Sequence, residues 1–209
     1  MSARTLGQWL AWIESCHPSA VALGLGRVAA VRARMGWPQP LGFRVLTVAG
    51  TNGKGSAVAL LEAVLAAAGE RVATYTSPHI ARYNERVRVA GREAEDAALV
   101  AAFARVEAAR GDTPLTYFEF ATLAAMEVFV AAAPDTVVLE VGLGGRLDAV
   151  NAFDADAALV TTIALDHMDW LGDTREAIGR EKAGVFRPGR PAVCADPDPP
   201  AAVAAVARE

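Results

Sequence analysis

An α/β fold, with a mainly parallel sheet and helices on both faces, is what this sequence predicts, on three observations. Short apolar, β-branched runs alternate with helix-length segments along the chain, the pattern of crossover connections. A glycine-rich turn carrying a lysine sits between one such run and the helix that follows. Three of the runs end in residues able to hold a phosphate or a hard cation, and open parallel sheets bind ligands beyond their strands' carboxyl ends.

Taken in order, residues 6–14 read as a short amphipathic helix, then a glycine-containing segment at 23–27 and a second short helix up to Met35. Trp37-Pro-Gln-Pro marks a connection. Residues 43–49 form a buried strand between glycines, and a helix over 56–68 ends at Gly69, placed for a left-handed cap. Strands follow at 72–76 and 86–89, then helices at 95–110 and 118–132, the second stopped by Pro134. Residues 136–141 and 157–162 are two further strands. Asp173, three residues before Glu176, predicts a capping box for a helix running to about Ala183. Residues 191–194 would be a last strand, and the chain ends in a helix beginning after Asp198.

Composition narrows the function classes. Hydrophobic residues make up 53% of the 209, enough for a sizeable core, and a charged fraction of 21% argues against disorder. A net charge of −4 gives no general attraction to nucleic acid. Cys16 and Cys194 are the only cysteines, without metal-ligand spacing, and fit inert core thiols in a reducing cytosol. The most apolar helical windows contain Glu62 and Glu127 and fall short of the roughly 18 residues of a membrane span. The expectation is a cytoplasmic monomer acting on small molecules, with no nucleic-acid or membrane partner.

The strongest local signal is Gly50-Thr51-Asn52-Gly53-Lys54-Gly55-Ser56. Glycines let backbone N–H groups converge on a phosphate chain, Lys54 can neutralise its outer phosphates, and the Ser56 hydroxyl can face Mg²⁺. The common G-x-x-x-x-G-K-[ST] pattern is not met, because position 48 is Val and Gly55 separates Lys54 from Ser56. Ser77-Pro78-His79 follows the second strand, Glu140 ends the strand at 136, and Asp166-His167-Met168-Asp169 follows the strand at 157. Singly, these read as a turn, a buried acid and an ordinary histidine. At matching strand ends beside a phosphate loop they make a sparse donor set for Mg²⁺.

The runs V-A-G-T-N-G-K-G-S, S-P-H-I-A-R-Y-N-E-R, T-Y-F-E-F-A-T, L-E-V-G-L-G-G-R-L-D-A-V-N, D-H-M-D-W-L-G-D-T and E-K-A-G-V-F-R-P-G-R-P resemble, in order, the folate branch of the Mur ligase superfamily. The resemblance implies a P-loop-like central domain that binds ATP through Thr51, Asn52, Gly53, Lys54, Gly55 and Ser56. It implies Ser77, Glu140 and His167 as Mg²⁺ ligands, and Lys182 as a lysine that CO₂ carbamylates to help hold a second Mg²⁺. Read alone, Lys182 is a solvated lysine near a helix end. Thr116, Tyr117, Phe118 and Glu119, with Leu147, Asp148 and Ala149, match the segments contacting the pterin and benzoyl groups of dihydropteroate. Read alone, Tyr117 and Phe118 are core residues of a helix start. The loop at 22–27 resembles a pterin-side loop but shows Ala22 and Gly26 where acids are common.

The implied reaction is ATP-dependent joining of L-glutamate to dihydropteroate or to a folate's glutamyl tail, with Lys54 and Lys182 in catalytic roles. The resemblance also implies that residues 1–209 are one incomplete ATP-binding domain, ending before the carboxyl-terminal glutamate-ligase domain, with little or no ligase activity alone. Two alternatives remain at this point: a sister ligase acting on a UDP-muramoyl precursor, and a non-catalytic nucleotide-binding domain.

Overall fold

Alternation in the first strand, β1 (Arg44–Ala49), decides the layering: Val45 and Ala49 join one apolar cluster, while Leu46 and Val48 face another. The computed structural model describes residues 4–17, 19 and 21–209. Its strands continue with β2 (Val72–Tyr75), β3 (Val87–Val89), β4 (Arg92–Glu93), β5 (Thr136–Glu140), β6 (Ala157–Val160) and β7 (Ala192–Cys194). They form one sheet in the order β4-β3-β2-β5-β1-β6-β7. The body from β2 to β7 is parallel, and the β3–β4 hairpin adds an antiparallel edge. Positive φ at Ala90 and Gly91 closes that hairpin in two residues, as its twist requires. The two-residue strand β4 carries no apolar run and was not foreseen.

The larger cluster packs α1 (Leu6–Ile13), α2 (Gly26–Arg34), α4 (Asp96–Arg110) and α5 (Tyr117–Ala132) on one side of the sheet. In α5, Phe120, Leu123, Met126 and Phe129 are fully buried, each contributing about 1.5–3 kcal/mol. The other side is covered by α3 (Lys54–Ala67), through Val58 against Val48, Val72 and Val138. A short α6 (Met168–Leu171), then α7 (Arg175–Ala183) and α8 (Ala201–Val206), complete the chain. None of the described helices is long and apolar enough to cross a membrane.

Three local expectations are corrected. Helix α3 begins at Lys54 rather than 56, because left-handed Gly53 (φ 83°) turns directly into it. Helix α7 is capped by Thr174, whose hydroxyl accepts from Ala177 N at 3.1 Å, and not by Asp173. Glu176 turns away to accept from Ala201 N and Ala202 N at 3.0 and 2.8 Å, so it caps α8. Both cysteines are free and half-buried, nearer the surface than core thiols.

Candidate functional site

The phosphate loop leaves the end of β1 where the sheet's connections diverge: β1 leads through α3 to β2 on one side, and β5 leads to β6 on the other. Such a switch point opens a crevice at the strand ends. A side chain at Gly50 (φ 144°) would put its Cβ 1.8 Å from Thr161 Oγ1, so glycine is required where the loop crosses β6. Thr161 Oγ1 donates to Asn52 O at 2.7 Å, Thr51 N donates to Thr162 O at 2.7 Å, and Asn52 N donates to Thr162 Oγ1 at 3.1 Å. The threonine pair straps the loop from the neighbouring strand; sequence reading took it only for the tail of a strand. Lys54 Nζ curls back onto Gly50 O and Thr51 O at 3.1 and 3.2 Å. Gly55 and Ser56, in the first turn of α3, are exposed.

Ser77 and Glu140 are brought together by the pairing of β2 with β5: Ser77 N donates to Glu140 Oε2 at 3.0 Å. Glu140 is 5% exposed, and burial raises its carboxyl above the usual range despite that bond and the positive charges of Lys54 and Arg86. Its Oε1 lies 3.9 Å from the point a Cβ on Gly55 would occupy, against the first turn of the phosphate-loop helix. His167 takes a left-handed conformation (φ 49°) before α6 and stays half exposed, with Nε2 3.7 Å from Asp166 Oδ2. Among the described residues no three His, Cys, Asp or Glu side chains converge as a metal cluster. A cation held here would rely on the serine and on water, as a hard ion that keeps much of its hydration can.

Lys182, in the last turn of α7, is 3% exposed, not solvated. Burial, and secondarily the charge of Lys54, bring its ammonium down to about 8.

One cavity of about 550 Å³ joins most of the predicted residues: Thr51 and Lys54 of the loop, Ser77, His167, Thr116 to Glu119, and Leu147 to Ala149. Asn52, Gly53, Gly55, Ser56, Glu140 and Lys182 are not on its wall. Gly142 is needed beside it, because a Cβ there would lie 2.6 Å from the Phe118 ring. Two predicted binding side chains are committed to the protein itself. Glu119 accepts from Thr116 N at 2.8 Å, completing the cap of α5, and its Oε1 lies 2.8 Å from an Arg27 guanidinium nitrogen. Arg27 also donates to Ala22 O, while Gly24 N donates to Leu147 O at 3.2 Å, so the loop at 22–27 is pinned to both segments. Asp148 accepts from Leu143 N and Val150 N at 2.8 and 3.0 Å, and burial pushes its carboxyl up to about 6. Sequence reading set that loop aside and, although its motifs contain them, did not place Arg86, Pro78, Leu143 and Trp170 in the site; they also line the cavity. The glycine run at 142–145 was the one signal of a close approach there.

Residues 48–199 match the family model of the Mur ligase middle domain. The chain is 55% identical over 208 residues to the dihydrofolate synthase/folylpolyglutamate synthase of Escherichia coli (strain K12), covering 100% of this chain and 49% of that protein. The Haemophilus influenzae protein of the same name is 48% identical over 93% of this chain and 44% of its own length. Among solved structures, E. coli FolC in complex with DHPP and ADP superposes with a TM-score of 0.95 at 53% identity, covering 99% of this chain and 50% of that one. A bifunctional folylpolyglutamate synthase/dihydrofolate synthase with Mn, AMPPNP and L-glutamate bound gives 0.89 at 53% identity, covering 98% and 50%. The chain therefore spans about half the length of these relatives.

Proposed function

The chain belongs to the Mur ligase family, and from that premise we propose that it forms the nucleotide- and acceptor-binding part of an ATP-dependent ligase joining L-glutamate to dihydropteroate or to the glutamyl tail of a folate. The observation that carries this reading is the single cavity shared by the phosphate loop, the segment at 116–119 with its Tyr117 and Phe118 rings, and the segment at 147–149. The relatives' bound ADP, AMPPNP, DHPP and L-glutamate support the same pairing of ligands.

An acceptor carboxylate attacks the γ-phosphorus of ATP and ADP leaves, giving an acyl phosphate. The glutamate amine then attacks the acyl carbon, loses a proton and expels phosphate as the amide forms. Phosphoryl transfer of this kind is governed by positioning and charge. Lys54, held among the described residues by two carbonyl oxygens, can swing to the β/γ-phosphates while the backbone of Thr51 to Gly53 cradles the chain. Phe118 and Leu147 would hold the flat heterocycle, whereas Glu119 and Asp148 fix the walls. Ser77, Glu140 and His167 would hold Mg²⁺, which supplies neutralisation of the triphosphate. The donor chemistry fits, since the one protein hydrogen bond on the Glu140 carboxylate, among the described residues, comes from Ser77 N.

Lys182 would be carbamylated and hold a second ion. With its amine titrating near 8, the neutral nucleophile grows as pH rises through that value. Carbon-13 bicarbonate should give a carbamate resonance at pH 8 that weakens towards pH 6 and vanishes in Lys182→Arg; persistence in the variant would exclude this lysine.

Thermal denaturation tests the main reading. Dihydropteroate at about 100 times its Kd should stabilise the chain by roughly 2.7 kcal/mol and raise Tm, while a UDP-muramoyl precursor should not. The reverse order would point to the cell-wall branch.

A further inference from the structure

Arg86 is the one buried arginine among the described residues, 8% exposed, and no carboxylate lies within 4.0 Å of its nitrogens. Arg27, half-buried nearby, is by contrast paired with Glu119. An unpaired buried cation costs several kcal/mol unless an anion arrives to complete it. The backbone at Arg86 is fixed, because its carbonyl accepts from Thr76 N at 2.9 Å beside the end of β2. The side chain is fixed too. Nε donates to His79 Nδ1 at 2.8 Å, and the guanidinium carbon lies 5.8 and 5.7 Å from the ring centroids of Tyr83 and Tyr117. With Nε engaged, the two terminal nitrogens remain, and neither makes a protein hydrogen bond among the described residues.

Arg86 lines the 550 Å³ cavity, along with Ser77, Pro78, Tyr117 and Phe118. Arg86 touches both regions of the site: its guanidinium lies over Tyr117, and its charge is felt by Glu140. Arg86 lines the same cavity as Phe118 and as Thr51 and Lys54 of the phosphate loop.

We propose that Arg86 is the specificity-determining receptor for the acceptor's carboxylate, gripping it with the two terminal nitrogens of a guanidinium that His79, Tyr83 and Tyr117 hold in place. The inference rests on the folate reading above and deepens it. A guanidinium fork matches a carboxylate in two parallel hydrogen bonds, which a lysine or an amide reproduces only in part. The grip orients the group for attack on phosphorus and rejects neutral analogues of the same shape.

Equilibrium binding of pteroate and of its neutral carboxamide, without nucleotide or metal, tests this on the whole chain. Wild type should prefer pteroate at least tenfold. Arg86→Gln should bind the carboxamide as wild type does and lose the preference, and Arg86→Lys should restore part of it. Equal affinity of wild type for both ligands, or a preference surviving in Arg86→Gln, would overturn the proposal while leaving the folate reading intact. Equal loss of both ligands in Arg86→Gln would also overturn it, since the guanidinium would then be packing the wall instead of reading charge. Failure of wild type to bind either ligand would sink the folate reading and this inference together.

Discussion

Asp148 lines the candidate cavity and at the same time holds the backbone that forms its wall. Its carboxylate is 3% exposed and holds the backbone at Leu143 and Val150, which shapes the wall that Gly142 and Leu147 present. Burial raises it to about 6, above the unfolded value of about 3.9, so the folded state binds the proton more tightly. Its contribution to stability is full below about pH 4 and is lost as pH rises through about 6, a change on the order of 3 kcal/mol. Urea unfolding of wild type and Asp148→Asn at pH 4, 6 and 7.5 should show wild type losing stability relative to the variant across that range. Parallel curves would mean that the carboxylate titrates normally. That these residues line one cavity agrees with the sequence reading, whereas the bonds they make within the protein were hidden from it. The partner of Glu119, Arg27, lies 92 positions away. Arg86 sat inside a quoted motif yet read as the start of a strand, because only the fold shows that no acid reaches it.

At the scale of elements, caps and loop straps divide into those a sequence states and those it hides. Gly69 after α3 was read from spacing, whereas the Thr116–Glu119 box of α5 was missed although it is local, within three residues. The cap of α7 shows the limit, because Asp173 and Thr174 are both good capping types and adjacent. Backbone geometry chooses Thr174, extended at φ −127° and ψ 151°, and frees Glu176 to cap α8 instead. Thr174→Ala should therefore cost about 1 kcal/mol in chemical denaturation, and Asp173→Ala should stay within about 0.5 kcal/mol of wild type. Equal costs would mean that the two residues share the cap. The straps from Thr161 and Thr162 to the phosphate loop, and the antiparallel edge of β3 and β4, depend on strand neighbours and so lie outside any window of sequence.

Across the whole molecule, the order β4-β3-β2-β5-β1-β6-β7 turns scattered motifs into one site. β1 carries the phosphate loop between β5, which ends in Glu140, and β6, which leads to His167; β2, leading to Ser77, stands beyond β5. Parallel α/β architecture was readable from the alternation of apolar runs, and with it the expectation that strand ends face one crevice. The strand order was not readable, since apolar runs of similar composition name no neighbours. On the proposed reading, a triphosphate at Gly53 and Lys54 meets divalent cations held by the ends of β2 and β5, beside the cavity proposed for the acceptor. Anomalous diffraction from crystals grown with Mn²⁺, a non-hydrolysable ATP analogue and pteroate tests it most directly. A Mn²⁺ peak should lie about 2–2.5 Å from the Ser77 hydroxyl and a Glu140 oxygen, with phosphates on the backbone of the loop. Phosphates docked away from that loop, or a Mn²⁺ peak beyond reach of both side chains, would contradict it.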